Sequence, residues 1–278
     1  MRDLILFGDC KKTLSAFLPK SARMCVTSPP YYGLRNYGGE EKQIGQEQSP
    51  EEYIKNLVEV FREVRNVLTD DGTLWLNVGD SYYNYRPGRG QRLSKQTVSN
   101  TKQDLPDVCP RRGNRLRGLK EKDLIGIPWM LAFALRADGW YLRQDIIWHK
   151  PNPMPESVRD RCTKSHEYVF LLSKNQNYYF DVNAIKEPTR RKRSVWNILN
   201  KPYRGAHFAV YPPELIEPCI KAGSEEGDII LDPFMGSGTT ATVAKTLGRD
   251  YIGCELHEDY GKLIQKRLNE RIVRVTQE

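Results

Sequence analysis

Short apolar runs alternate with stretches of helical period along most of this 278-residue chain, and that alternation restricts the fold more than any other feature. Residues 4–8 (LILFG) and 23–27 (RMCVT) read as strands, with a short helix over 11–18 between them and Pro29-Pro30 stopping the second strand. The next segment carries a full set of helix-start signals: Ser49 as N-cap, Pro50 at the first helical position and Glu52 three residues after the cap. Ile54, Leu57, Val58, Phe61, Val64 and Leu68 follow at three- and four-residue spacing and give one buried stripe. Asp71-Gly72 is expected to end that helix, and TLWLNVG (73–79) to form the next strand. Further helices are expected at about 123–137, 213–222, 238–247 and 258–272, and strands at 140–148, 166–172, 228–232 and 250–255. Strands alternating with helices imply a mainly parallel sheet covered on both faces. No internal repeat is visible.

Composition removes several classes. No apolar run approaches the roughly 18 residues needed to span a bilayer, so no membrane partner is expected. The start, MRDLILFGDC, has one Arg and an apolar run too short for a signal peptide, and reads as a buried strand. Six cysteines (Cys10, Cys25, Cys109, Cys162, Cys219 and Cys254) include no CxxC pair, so neither disulfides nor a zinc site is expected and a reducing cytoplasm is the natural setting. His149, His166, His207 and His257 lack ligand spacing, and no metal is expected. Pro218-Cys219 has the form of a C5-cytosine nucleophile pair, but it falls inside the amphipathic run Leu215, Ile216, Cys219, Ile220, which makes it a core cysteine.

The net charge of +8 is concentrated. Residues 82–122 hold eleven Lys and Arg against three acids (Asp104, Asp107, Glu121), while the rest of the chain holds 32 of each sign. That stretch is rich in Arg, Gly, Asn, Ser and Gln and nearly free of large aliphatics, so 82–120 reads as a mobile insertion that orders on a partner. A second basic cluster, TRRKR, lies at 189–193. Clustered cations point to a polyanion, because phosphate contacts release counterions. The candidate contacts are Arg86, Arg89, Arg92, Arg111, Arg112, Arg115 and Arg117 in the first stretch, and Arg190, Arg191, Lys192 and Arg193 in the second.

Two motifs carry chemistry. The first, TSPPYY (27–32), closes an expected strand, and open α/β sheets bind ligands beyond the carboxyl ends of their strands. Consecutive prolines Pro29 and Pro30 remove two N–H donors and fix φ. What remains is a surface of acceptors, the Pro29 carbonyl and the Ser28 hydroxyl, with the aromatic face of Tyr31 beside it. The amino group of cytosine or adenine is a poor nucleophile, because its lone pair is delocalised into the ring. Acceptors that take both amino hydrogens favour a more tetrahedral nitrogen and return the lone pair to it. Stacking on Tyr31 holds a base, at roughly 1–3 kcal/mol.

The second, LDPFMGSGTT (231–240), joins an expected strand to a helix beginning near Gly238. Phe234-x-Gly236-x-Gly238 makes a sharp turn that lets backbone approach a ligand, and the helix N-terminus favours a negative group. No Lys follows the glycines, so the turn is not a phosphate-binding P-loop. Glu255 ends the next strand, 23 residues after Asp232. An acid at that place binds a ribose diol in nucleoside-binding α/β folds.

TSPPYY followed about 200 residues later by DPFMGSGTT resembles the S-adenosylmethionine-dependent amino-methyltransferases of bacterial and phage restriction–modification type, and the order resembles their β class. The resemblance covers nearly the whole chain. It implies a circularly permuted Rossmann-like α/β methyltransferase, a doubly wound and mainly parallel sheet with an antiparallel edge hairpin near 140–172. It implies a single domain: a catalytic half over 1–80 and 121–175, a cofactor half over 205–278, and a target-recognition segment over 175–204, for which the basic insertion 82–120 is the rival candidate. Asp9 of FGD would face the cofactor's adenine. Asp232, Phe234, Gly236, Ser237, Gly238, Thr239, Thr240 and Glu255 would line the S-adenosylmethionine site, with His207 and Phe208 of GAHFAVYPPEL closing over its methionine end or packing. IIWHKPNPMPES (146–157) and HEYVFLLSK (166–174) would line the target-base pocket, where Trp148 is either a second stacking face or core.

The implied substrate is double-stranded DNA, and the implied product N4-methylcytosine, since Ser at position 28 is commoner in the N4-cytosine group. N6-methyladenine is the alternative, ahead of an RNA or protein methyltransferase or a non-catalytic DNA-binding relic. A homodimer and a cognate restriction endonuclease stay open.

Overall fold

The structure is a computed structural model and describes residues 2–33, 43–83, 118–200 and 211–275. In chain order the elements are β1 (Leu4–Phe7), α1 (Cys10–Thr13), β2 (Ala22–Thr27), α2 (Pro50–Val67), β3 (Leu68–Val78), α3 (Ile127–Ala137), β4 (Tyr141–His149), β5 (His166–Ser173), β6 (Val195–Asn197), α4 (Pro213–Gly223), β7 (Ile229–Asp232), α5 (Thr239–Thr246), β8 (Asp250–Glu255) and α6 (Asp259–Val275). The strands make one sheet in the order β1-β8-β7-β2-β3-β5-β4-β6.

β1, β8, β7, β2 and β3 run parallel to one another, β5 is antiparallel to both β3 and β4, and β6 is parallel to β4. Side chains alternate between two faces, as the two-residue period of a strand requires. Leu74, Leu76 and Val78 of β3 and Phe170 and Leu172 of β5 join one core, with Leu57, Phe61 and Val64 of α2 and Leu131 and Leu135 of α3. Trp75, Val169 and Leu171 join the other, with Leu215 and Ile216 of α4, Ala241 of α5 and Ile264 of α6. The helices of the first half thus cover one face and those of the second half the other.

This arrangement creates a switch point. The crossover β2–α2–β3 steps one way along the sheet and β7–α5–β8 steps the other, with α2 and α5 on opposite faces. Right-handed connections demand those opposite faces. Between β2 and β7 the crossovers diverge, and it is outside the carboxyl ends of two such strands that open α/β sheets bind their ligands.

Four local features differ from the sequence expectation. The α2 helix ends at Val67, and β3 begins directly at Leu68, several residues before Asp71-Gly72. Asp71-Gly72 makes a bulge instead of a stop: Ala22 pairs with Leu68 while Met24 pairs with Thr73. A Cβ on Gly72 would sit 2.9 Å from the Thr69 carbonyl oxygen, so the bulge needs glycine. The short first helix divides into α1 and one 3-10 turn over Leu14–Ala16. The expected helix near 123 starts only at Ile127, after Gly126 at φ +87°. The hairpin β4–β5 carries one more strand, β6, outside it.

At the α2 start, Ser49 Oγ accepts from the Glu52 N–H at 3.1 Å, and Glu52 Oε2 reaches back to the Gln48 N–H at 3.3 Å, one residue earlier than a standard capping box. Ser49→Ala should lower the unfolding free energy by about 1 kcal/mol. The measurement is the urea midpoint at unchanged slope; an unmoved midpoint would show that the cap contributes nothing.

Candidate active site

The carboxyl ends of β1, β8, β7 and β2 lie side by side, and each carries a residue singled out from the sequence. Asp9 follows β1, Glu255 ends β8, the Phe234–Gly238 turn follows β7, and Ser28 follows β2. The contact between the last two tips is specific. Thr27 Oγ1 donates to Asp232 Oδ1 at 2.6 Å across 205 residues of sequence. The same oxygen takes the Phe234 N–H at 3.0 Å, and Oδ2 takes the Thr240 hydroxyl and the Tyr211 hydroxyl, the latter at 3.2 Å. Asp232 is 1% exposed. Burial pushes its carboxyl above the usual range, and the hydrogen bonds from Thr240, Thr27, Phe234 and Tyr211 act against that.

Through these bonds Asp232 and Thr240, both expected at the cofactor, also join the end of β7 to α5. Ser237 and Thr239 are likewise buried, and both hydroxyls take hydrogen bonds from Arg267 of α6, the second at 3.2 Å. The parts of the turn that reach the cleft are the half-buried Phe234 and Gly236. Gly236 and Gly238 have φ of +53° and +78°, where a side chain is strained. A Cβ on Gly238 would also lie 2.8 Å from Ile264 Cγ2.

Glu255 is 7% exposed and holds two backbone N–H groups, Gly236 on Oε2 at 2.8 Å and His257 on Oε1 at 2.9 Å. Burial raises its carboxyl above the ordinary range, and those two donors oppose the shift. The Glu255 carbonyl accepts from the Gly8 N–H at 2.8 Å, which brings the β1 tip alongside. There the half-buried Asp9 caps α1, with Oδ1 accepting from the Lys11 N–H at 3.0 Å. His257 Nε2 is buried and has no hydrogen-bond partner among the described residues.

On the β2 side, Pro29 is buried and Ser28 is half-buried. The Pro30 carbonyl accepts from the Tyr53 hydroxyl at 2.8 Å, whereas the Pro29 carbonyl accepts nothing from the described residues. Tyr31 lies against the end of β3: a Cβ on Gly79 would meet its Cε2 at 2.6 Å. Its hydroxyl donates to Glu167 Oε2 at 2.7 Å, with Asn77 Oδ1 at 3.4 Å. Burial, and next the Glu167 charge, push the phenol well above its ordinary range. Lys150 forms an ion pair with Glu167 Oε1 and sits 4.1 Å over the Trp148 ring.

Trp148 is 3% exposed, and its indole N–H donates to the Ile198 carbonyl at 2.9 Å. Between the two readings of this residue, the structure places it in the core, with one ring face under Lys150. Cys219 is also core: its thiol donates to the Leu215 carbonyl at 3.4 Å, and burial pushes it up, away from the thiolate a nucleophile needs.

The basic candidates fare unevenly. Arg86, Arg89, Arg92, Arg111, Arg112, Arg115 and Arg117, with His207 and Phe208, lie outside the described residues. The chain on either side of 84–117 is pinned into a stem: the Tyr83 N–H donates to Asp123 O at 2.8 Å and the Ile125 N–H to Ser81 O at 3.0 Å. Beside it, Arg161 covers the Tyr82 ring at 3.8 Å, and Lys164 Nζ donates to Asp80 O at 3.1 Å. Arg190, Arg191 and Arg193 are exposed, Arg190 paired with Glu187 at 2.6 Å, and Lys192 lies 5.0 Å over the Trp196 ring. This cluster precedes β6, whose three residues pair with Ile147–His149 at the carboxyl end of β4. Residues 175–181 run along the opposite end of the sheet, where the Tyr179 N–H donates to Asp71 O at 2.9 Å and the Asp181 N–H to Ala222 O at 2.8 Å.

Sequence reasoning missed Asn77, Asp80, Lys150 and Glu167. Asp80 takes the Gly126 N–H at 3.0 Å and the Ile127 N–H at 3.2 Å, and so caps α3 from another element. A polar residue inside TLWLNVG, and a Glu opening the apolar run HEYVFLLS, were the available signals, because buried polar residues are the informative ones.

Residues 22–266 match the family described as DNA methylase, of the N6/N4 type. The chain is 48% identical to the type II methyltransferase M.XycI of Xanthomonas campestris pv. cyanopsidis over 285 aligned residues, covering 99% of this chain and 92% of that protein. It is 49% identical to the type II methyltransferase M.SmaI of Serratia marcescens, covering 96% of this chain and 91% of the relative. Among solved structures, the PvuII DNA methyltransferase, titled cytosine-N4-specific, superposes with a TM-score of 0.71 at 20% identity, covering 96% of this chain and 86% of that one.

Asp232→Asn replaces one acceptor oxygen with an amide that cannot take its donors. The unpaired buried hydroxyls should cost about 1–3 kcal/mol, read as a lowered melting temperature; an unchanged melting temperature would remove the carboxylate from the centre of the site.

Proposed function

Because the chain belongs to the N4/N6 family of S-adenosylmethionine-dependent DNA amino-methyltransferases, as a type II DNA methyltransferase, we propose that it methylates the exocyclic N4 of cytosine in double-stranded DNA. The observation that carries the reading is the pair of acceptors at the β2 tip. The Ser28 hydroxyl and the Pro29 carbonyl, which accepts nothing from the described residues, follow the strand whose Thr27 is joined to the β7 end by the hydrogen bond to Asp232 of 2.6 Å.

The residues present fit the cofactor. The positive-φ turn at Gly236 and Gly238 brings backbone to the cleft, as a close-approaching ligand requires. The α5 N-terminus has no side-chain cap, which suits a carboxylate. Glu255, with its two oxygens held by backbone N–H groups, presents its remaining lone pairs to a ribose diol, and Asp9 stands on the neighbouring tip. The unpartnered nitrogen of His257, two residues beyond Glu255, is the kind of buried polar atom that a ligand satisfies. When bound, S-adenosylmethionine supplies the electrophilic methyl group.

The chain's own residues prepare the nitrogen. The target base leaves the duplex, at a cost of a few kcal/mol of unstacking. Ser28 Oγ and Pro29 O accept the two amino hydrogens, which draws the nitrogen toward a tetrahedral shape and localises its lone pair. Tyr31, braced on Gly79 and by its hydroxyl, holds the ring. No covalent enzyme intermediate is needed, and positioning supplies most of the rate. A serine at position 28, together with a structural neighbour titled cytosine-N4-specific, supports cytosine over adenine.

Duplex DNA treated with the protein and S-adenosylmethionine, digested to nucleosides and analysed by mass spectrometry, should yield N4-methylcytosine; N6-methyladenine in its place would overturn the cytosine assignment. Ser28→Ala should cut turnover by about 100-fold, the scale of one lost preorganised hydrogen bond, with cofactor affinity by calorimetry unchanged. Wild-type turnover in that variant would sink the proposed role of the β2 tip.

A further inference from the structure

Glycine at 236 and 238 permits the turn after β7 but does not enforce it, because a residue without a side chain takes up many conformations. Contacts from outside the turn must hold it in one shape. Its N–H groups show what that shape leaves over. Those of Phe234, Met235, Gly236, Gly238 and Thr242 are spent on Asp232 Oδ1, Cys254 O, Glu255 Oε2, Met235 O and Gly238 O, at 2.8–3.0 Å. Those of Ser237, Thr239, Thr240 and Ala241 donate to no described residue, although all four residues are at most 3% exposed. Buried backbone donors left over at a helix start call for a partner, and a ligand is one.

The last helix, α6, supplies the outside hold. Ile264 and Arg267 stand three residues apart, on one face of that helix. Ile264 occupies the space beside Gly238: a Cβ there would lie 2.8 Å from Ile264 Cγ2. Arg267 Nη1 donates to Ser237 O at 2.8 Å, to Ser237 Oγ, and to Thr239 Oγ1 at 3.2 Å. The peptide between Ser237 and Gly238 is planar and trans, so its oxygen and its N–H point to opposite sides. Arg267 holds the oxygen, and Met235 O accepts the N–H at 2.9 Å. With that plane fixed at both edges, the directions of the Ser237 and Thr239 N–H groups on either side of it are fixed as well.

We propose that Arg267 is a positioning residue for the cofactor: by clamping Ser237 and Thr239 it holds the four spare N–H groups in the array that receives the carboxylate of S-adenosylmethionine. The proposal rests on the reading of the α5 start as the place of that carboxylate. Arg267 acts through the backbone of the turn, so its effect is confined to the amino-acid end of the cofactor. The ribose and adenine fall to Glu255 and Asp9 on the β8 and β1 tips, which the clamp leaves alone.

Calorimetry with two ligands separates this role from a general one. S-adenosylhomocysteine has the amino-acid end, whereas 5′-methylthioadenosine shares the adenosine and the sulfur but lacks it. The wild type should prefer S-adenosylhomocysteine. Arg267→Met keeps an apolar stem and removes the donors. It should bind S-adenosylhomocysteine roughly tenfold more weakly, the scale of one hydrogen bond to a charged group, and 5′-methylthioadenosine within about twofold of the wild type. An equal loss for both ligands would mean that Arg267 supports only the fold, and an unchanged preference would mean that the turn holds without it; either result overturns the proposal. If Arg267→Met does not fold, Ser237→Ala decides, because it removes one of the clamped oxygens. The preference should then shrink by about threefold, and an unaltered preference overturns the proposal. A wild type that binds both ligands equally well sinks the reading of the α5 start itself, whereas a wild-type preference that survives in Arg267→Met sinks only the clamp.

Discussion

A buried carboxylate holds the two halves of this protein in register. Burying an ionised carboxyl is expensive unless donors surround it, and Asp232 has donors from four places: Thr27 on β2, the Phe234 amide in its own turn, Thr240 on α5, and Tyr211 just before α4. Parallel strands from distant parts of a chain cannot be joined by a tight turn, and here the backbone ladder that sets Met24 opposite Ile230 and Cys25 opposite Leu231 is reinforced by a side-chain contact at the tips. Here that contact lies one residue before Ser28 and two before Phe234. The spacing between the end of β2 and the turn after β7 is therefore held by this hydrogen-bonded centre together with the strand ladder.

The division of labour follows from that centre. The polar side chains of LDPFMGSGTT face inward: Asp232 and Thr240 join strand and helix, while Ser237 and Thr239 are held by Arg267. What the turn offers to a ligand is backbone, Phe234 and the shape made by two glycines in the left-handed region. Glu255 combines both tasks, since its carboxylate fixes the turn through the Gly236 N–H while its position on the β8 tip keeps it beside the cleft.

Much of this was legible in the sequence, and the misses share a cause. Strand and helix periods announced the alternating elements, and Ser49-Pro50 marked the α2 start almost to the residue. Asp71-Gly72 misled because a glycine turn signal looks the same whether it ends a helix or makes a bulge; only the pairing of Ala22 with Leu68 and Met24 with Thr73 distinguishes them. The strand β6 was invisible because three residues are too few to show a period. At the site, Ser28, Tyr31 and Glu255 could be chosen because each follows or ends an apolar run, and Asp9 through the family resemblance. Glu167 and Lys150 could not, since their meaning comes from a partner across the sheet.

The reversed strand β5 explains how such a partner arrives. In a purely parallel sheet, only residues at the carboxyl ends of strands reach the ligand side. β5 runs against β3 and β4, so its first residues, His166 and Glu167, stand level with the last residues of those neighbours. The sheet thereby brings a strand-opening carboxylate up to a crevice otherwise built from strand-closing residues. It does so on a rigid element, paired on both sides, rather than on a loop. A hydroxyl rotates freely unless its neighbours are fixed, and Asn77, Lys150 and Glu167 sit on or directly after three adjacent strands, β3, β4 and β5. The antiparallel part of the sheet supplies the rigid back wall against which Tyr31 is oriented.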